Sequence, residues 1–172
     1  QSLQSLDADL ADCREALRCG SRSFFAASFL LPPAFRESAS ALYAFCREAD
    51  DAIDGNPDPA AGLASLRHRL DVIYGRGKPA RAADRALAAV VEAHGLPRAL
   101  LDALLEGFAW DADGRSYEDL SGVFDYAARV AGAVGVMMAV LMGVRDPQVL
   151  ARACDLGVAM QLTNIARDVG ED

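Results

Sequence analysis

The feature that most limits what this chain can become is its punctuation. Apolar residues recur at helical spacing along nearly its whole length, and clusters of Gly and Pro separate one periodic stretch from the next. Breaks at Gly20, Pro32-Pro33, Gly55-Asn56-Pro57, Gly75 to Pro79, Gly95 to Pro97, Asp113-Gly114 and Asp146-Pro147 predict helices over 6–18, 23–30, 33–54, 59–74, 80–93, 97–111, 119–143 and 147–170. Ser21 is placed to cap the helix after Gly20, and Asp58 the helix after the break at 55–57. Ala and Leu dominate, β-branched and aromatic residues are sparse, and 52% of the chain is apolar. An all-α fold follows, with residues 1–172 read as a single helical domain.

Charge narrows the partners. Seventeen Lys and Arg against 25 Asp and Glu leave a net charge of −8, which argues against nucleic acid, because phosphate-backbone binding needs clustered cations. A small anionic substrate is compatible with this charge if metal ions intervene. Cys13, Cys19, Cys46 and Cys154 lack CxxC spacing and read as reduced, mostly packed thiols of a cytoplasmic protein. The apolar stretch Val130 to Val144 is short for a bilayer and carries Gly132, Gly135 and Gly143, so a buried helix is expected there. No secretory leader opens the sequence, and Gln1 in place of Met suggests that the natural start is missing.

Two helices carry chemistry. In Leu42 to Asp54, at about 100° per residue, Leu42, Phe45, Cys46, Ala49 and Ile53 form an apolar stripe. Tyr43, Arg47, Asp50 and Asp54 run beside it, with Glu48 and Asp51 further outward. Carboxylates at i and i+4 repel by roughly 0.2–0.5 kcal/mol on an exposed helix, a penalty that a bound cation removes. A solvated acidic face, with Arg47 paired to Asp50 or Asp54, is the alternative at this point. The last helix repeats the design: Gln161, Asn164, Asp168 and Asp172 share one arc, flanked by Val158, Ile165 and Val169. Gln161 and Asn164 bonded to neighbouring helices is the alternative there. Two such faces suggest a bundle whose carboxylates look across a cavity. Di-iron bundles use Glu-x-x-His, and neither His68 nor His94 has a Glu three residues before it, so Mg²⁺ on a diphosphate is preferred. His68, His94 and Trp110 read as surface or rim side chains.

Four segments in order, Ser21 to Pro32, Ala41 to Asp54, Asp125 to Gly132 and Gln161 to Asp172, resemble the squalene and phytoene synthase family, most of all its bacterial phytoene synthases. The resemblance implies an isoprenoid-synthase helical bundle, truncated at its C-terminal side because the family domain continues past Asp172 with further helices. It implies a Mg²⁺-dependent prenyltransferase of carotenoid biosynthesis, with Mn²⁺ able to substitute and no NADPH needed. Such an enzyme condenses two geranylgeranyl diphosphates head to head into phytoene through a cyclopropyl intermediate. By match to the family's motifs, Asp50 and Asp54 hold metal at one diphosphate, and Asn164, Asp168 and Asp172 at the other. Ser21, Tyr43 and Arg47 contact diphosphate, Ser23 and Phe24 line the same mouth, Gln161 lies near the reacting carbons, and Tyr126 near the departing diphosphate. Ala131 and Gly157, with Gly132, Val134 and Gly135, leave room for prenyl tails, close helix packing being the ordinary explanation of such residues. Ser116 stands where members usually carry a basic residue before the tyrosine. The 172-residue form is expected to be inactive alone. Peripheral contact with the inner membrane face is expected of so apolar a substrate. The rival readings are a dehydrosqualene or squalene synthase using farnesyl diphosphate, and a non-catalytic relative.

Overall fold

A computed structural model describes residues 3–20, 32–54 and 56–169. Among these the elements are helical: α1 (Leu3–Gly20), α2 (Pro33–Asp54), α3 (Pro59–Tyr74), α4 (Ala82–His94), α5 (Arg98–Ala112), α6 (Leu120–Ala127), a π-helical segment (Ala128–Gly132), α7 (Ala133–Leu141) and α8 (Pro147–Val169). The helix expected over 23–30, and the cap expected from Ser21, lie outside the described residues. Asp58 caps α3 as expected, its carboxylate accepting from the Ala61 N–H at 3.1 Å, with Pro59 opening the first turn. Asp119 does the same for α6 through the Gly122 N–H. Helix α4 ends on Gly95 at φ 61°, the left-handed conformation that lets its N–H return to the Val91 carbonyl.

Where one domain is the sequence expectation, contacts gather in two compact units, Gln1–Leu96 and Pro97–Asp172. In the first, α1, α2, α3 and α4 pack on one another. Leu42, Phe45, Ala49 and Ile53 from α2 meet Leu66, Leu70 and Ile73 from α3 and Ala86, Leu87 and Val90 from α4 in the core, all nearly without solvent exposure. Part-buried ion pairs tie these helices as well. Asp9 on α1 receives the Arg85 guanidinium, and Asp84 receives both Nε and a terminal nitrogen of Arg69.

The second unit is built on α5, α7, α8 and the π-helical segment. Residues 120–141 run as one helix interrupted only by the wide π turn, so this stretch is long and apolar enough to cross a membrane, which corrects the shorter 130–144 estimate. Only a third of that window is buried, because one side packs on α5 and α8 while Leu120 and Phe124 stand open. Helix α8 touches this element backbone to backbone. A Cβ on Gly157 would overlap the Ala131 carbonyl, one on Gly135 the Ala153 carbonyl, and one on Gly132 would sit 2.7 Å from Cys154 Sγ.

Candidate active site

The apolar stripe read on α2 is buried as expected: Leu42, Phe45, Ala49 and Ile53 are each at most 2% exposed. Rotating away from it, Tyr43 and Asp50 are half-buried and Arg47 is exposed. The Arg47 guanidinium lies 3.6 Å from Asp50 and 2.8 Å from Asp51. The alternative pairing of Arg47 with Asp50 is therefore present, in a long contact. The backbone of Asp54 continues α2 one turn beyond Asp50, and its side chain lies outside the described residues. Cys46 stands one turn before Asp50; burial of its thiol, with the Asp50 charge as the lesser cause, pushes it up to about 12.

Glu48 corrects one expectation. It does not point away from the rest of the protein: its carboxylate receives Arg69 at 2.8 Å and Arg81 at 3.3 Å. Arg69 itself is nearly buried, with its guanidinium 5.1 Å from the centre of the Phe45 ring. His94 corrects another. Its Nε2 lies 2.9 Å from Ser38 Oγ in a part-buried contact, whereas His68 is exposed as expected. Arg69 had a faint sequence signal, a charged residue set among the core positions Leu66, Leu70 and Ile73. The pairing of Ser38 with His94 had none.

In the second unit, Gln161 is half-buried, while Asn164 and Asp168 face solvent one turn apart on α8. Arg167 lies 3.3 Å from Asp168 with both side chains about two-thirds exposed, a weak contact in water. The Ala131 carbonyl meets Gly157 at the close approach of the π-helical segment and α8, a contact that leaves no room for a side chain at 157. Tyr126 donates to Asp111 at 2.8 Å and lies beside Tyr117, ring centres 5.5 Å apart. Trp110 has two guanidiniums over its ring, Arg115 at 4.0 Å and Arg129 at 4.2 Å from the ring centre. The hydroxyl of Tyr117 is buried with no hydrogen-bond partner among the described residues. Burial, and then the charge of Asp111, raises its phenol above the usual range. Ser21, Ser23, Phe24 and Asp172 lie outside the described residues.

Among the described residues no three His, Cys, Asp or Glu side chains come together as a metal cage. The candidate donors are oxygens in one-turn pairs. Oxygen donors of this kind fit a hard cation that shares its coordination with water and a diphosphate. The class these features define is the all-helical protein that presents oxygen donors in short rows from helix edges.

Comparison with known proteins gives the family. Residues 17–172 match squalene/phytoene synthase. The phytoene synthase of Cereibacter sphaeroides is 64% identical over 96% of this chain and 49% of its own length, and that of Rhodobacter capsulatus 61% over 96% and 50%. Among solved structures, a dehydrosqualene synthase in complex with ligand superposes with a TM-score of 0.87 at 38% identity, covering 98% of this chain and 59% of that one. The squalene synthase of Alicyclobacillus acidocaldarius gives 0.88 at 26%, covering 98% and 66%. The chain belongs to the squalene/phytoene synthase family and has its isoprenoid-synthase helical fold. It spans about half the length of the curated relatives it matches.

Proposed function

We propose that this chain carries the diphosphate-handling helices of a phytoene synthase, a prenyltransferase that joins two geranylgeranyl diphosphates head to head and releases diphosphate. The observation that supports it most is the α2 edge, where Tyr43, Arg47 and Asp50 stand together beside a fully buried stripe in a chain 64% identical to a phytoene synthase.

Asp50 and Asp54 hold the cation of one diphosphate, and Asn164, Asp168 and Asp172 that of the other. Bound Mg²⁺, or Mn²⁺ in its place, supplies positive charge to the leaving diphosphate as the allylic carbon–oxygen bond breaks. Arg47 and the Tyr43 hydroxyl, with Ser21, complete the stabilisation of the developing negative charge. The electron pair of that bond leaves with the diphosphate, the double bond of the second substrate supplies the pair for the new carbon–carbon bond, and a proton is lost as the cyclopropane closes. Tyr126, oriented by Asp111, lies near the leaving group, and Gln161 near the reacting carbons. Ser23 and Phe24 line the mouth, and apolar side chains keep water from the cation. Cytoplasmic residence with peripheral contact at the inner membrane face belongs to the same reading, supported by exposed Leu120 and Phe124.

The likeness to a dehydrosqualene synthase at 38% identity favours a second reading, with farnesyl diphosphate as substrate. Incubating the full-length protein with Mg²⁺ and each diphosphate, without NADPH, distinguishes them. Phytoene is the expected product, and Asp50→Asn and Asp168→Asn are each expected to lower its rate by about 100-fold or more. A C30 product alone, or an unaffected Asp50→Asn enzyme, overturns the reading. The 172-residue form is expected to give no product in the same assay, a reading supported by the exposure of Leu156 and Met160 on α8.

A further inference from the structure

Helix α2 places four acidic residues, Glu48, Asp50, Asp51 and Asp54, within two turns. A divalent cation attracted to this helix has more than one edge to choose from. Glu48 and Asp50 are two residues apart, about 200° around the axis, so they flank the buried stripe on opposite sides. Glu48 receives two guanidiniums, Arg69 at 2.8 Å and Arg81 at 3.3 Å. Asp51 receives Arg47 at 2.8 Å, and the same guanidinium lies 3.6 Å from Asp50. Arg69 is itself fixed: its side chain is 11% exposed, it forks onto Asp84, which is 5% exposed, and its plane lies near the Phe45 ring.

We infer that Arg69 is a positioning residue for the cation-collecting edge of α2, acting through Glu48. Arg69 and Arg81 together balance the charges of Asp84 and Glu48, which weakens the competing edge, so a divalent cation is drawn to Asp50 and Asp54. Arg81, exposed at 62%, adds to this from the solvent side. A bidentate guanidinium suits the task because it satisfies Asp84 and Glu48 together, which a single ammonium does less well. The inference rests on the reading of Asp50 and Asp54 as the metal-bearing pair.

The test is titration of the full-length protein with Mn²⁺ in the presence of inorganic diphosphate, followed by electron paramagnetic resonance. Arg81→Gln, a surface change that leaves the core intact, is expected to raise weak Mn²⁺ binding about threefold, the scale of one exposed ion pair. Arg69→Gln is expected to raise it further and to increase the Mg²⁺ needed for half-maximal product formation. Adding Glu48→Gln to either variant is expected to restore the wild-type Mn²⁺ titration. A merely structural Arg69 lowers thermal stability, leaves Mn²⁺ binding unchanged and is not rescued by Glu48→Gln. Wild-type titrations for both arginine variants, or an excess of Mn²⁺ that survives Glu48→Gln, overturn the inference. Asp50→Asn separates the two readings: if it spares the strong Mn²⁺ site, the assignment of Asp50 falls, while the Glu48-dependent weak binding still decides the role of Arg69.

Discussion

Cys46 and Cys13 show how the environment of α2 and α1 acts on single atoms. Burial first, and then Asp50, pushes the Cys46 thiol up to about 12, and burial, then Asp9, pushes that of Cys13 up to about 11. Both folded-state values exceed the ordinary 9.0, so the folded state holds these protons more tightly than the unfolded chain. The contribution is complete below pH 9 and is lost as pH rises through 11 to 12, by up to about 1.4 kcal/mol per pH unit for each thiol. Denaturant unfolding between pH 8 and 11 is therefore expected to show falling stability, with a shallower slope in Cys46→Ala. An identical slope in the variant contradicts the burial. Cys46 and Asp50 were both placed correctly by helical spacing, since the buried stripe and its neighbour are local consequences of an i, i+3, i+4 pattern. Glu48 was not, because its partners are 21 and 33 residues away and nothing local announces them. All four cysteines are free, but Cys19 is exposed rather than packed.

At the scale of helices, two opposing effects meet at Gly135 and Gly157. Alanine in a helix is favoured over glycine by about 1 kcal/mol. At these positions the added carbon would press on the carbonyls of Ala153 and Ala131, and backbone cannot swing aside as a side chain can. The steric cost of overpacking, about 1–3 kcal/mol, outweighs the propensity gain. Gly135→Ala and Gly157→Ala are each expected to lower the melting temperature measured by circular dichroism; a rise in either contradicts the close approach. Most boundaries were legible because Gly, Pro and Asp58 mark them with known local geometry. The exact start of α4 was not: expected at 80 to within a few residues, it comes at Ala82, and the Ala80 carbonyl accepts from the Arg85 guanidinium. Nor was the π turn at Ala128–Gly132 visible, since the same residues satisfy ordinary helical periodicity. Its wide turn lies where α8 packs against Gly132, a long-range contact.

Across the whole chain, helix content and family were readable because two short motifs and a periodic pattern suffice for both. The grouping of contacts into Gln1–Leu96 and Pro97–Asp172 did not stand out, for the break at Gly95 to Pro97 looks like the other Gly and Pro breaks along the chain. The two units differ in how they are held. The first has its helices fastened by Asp9, Asp84 and their arginines, while in the second α8 leaves Val149, Leu156 and Met160 uncovered. The chain's single tryptophan, Trp110, belongs to the second unit, with the guanidiniums of Arg115 and Arg129 over its ring. Its emission is thus a built-in optical reporter of that unit alone, whereas far-ultraviolet ellipticity averages over both. In a urea titration the fluorescence change should come at lower denaturant than the loss of ellipticity; superimposable curves would mean that the two halves melt together. The two cation–π contacts also supply the signal: once the guanidiniums leave the indole, its spectrum shifts to that of a ring in water.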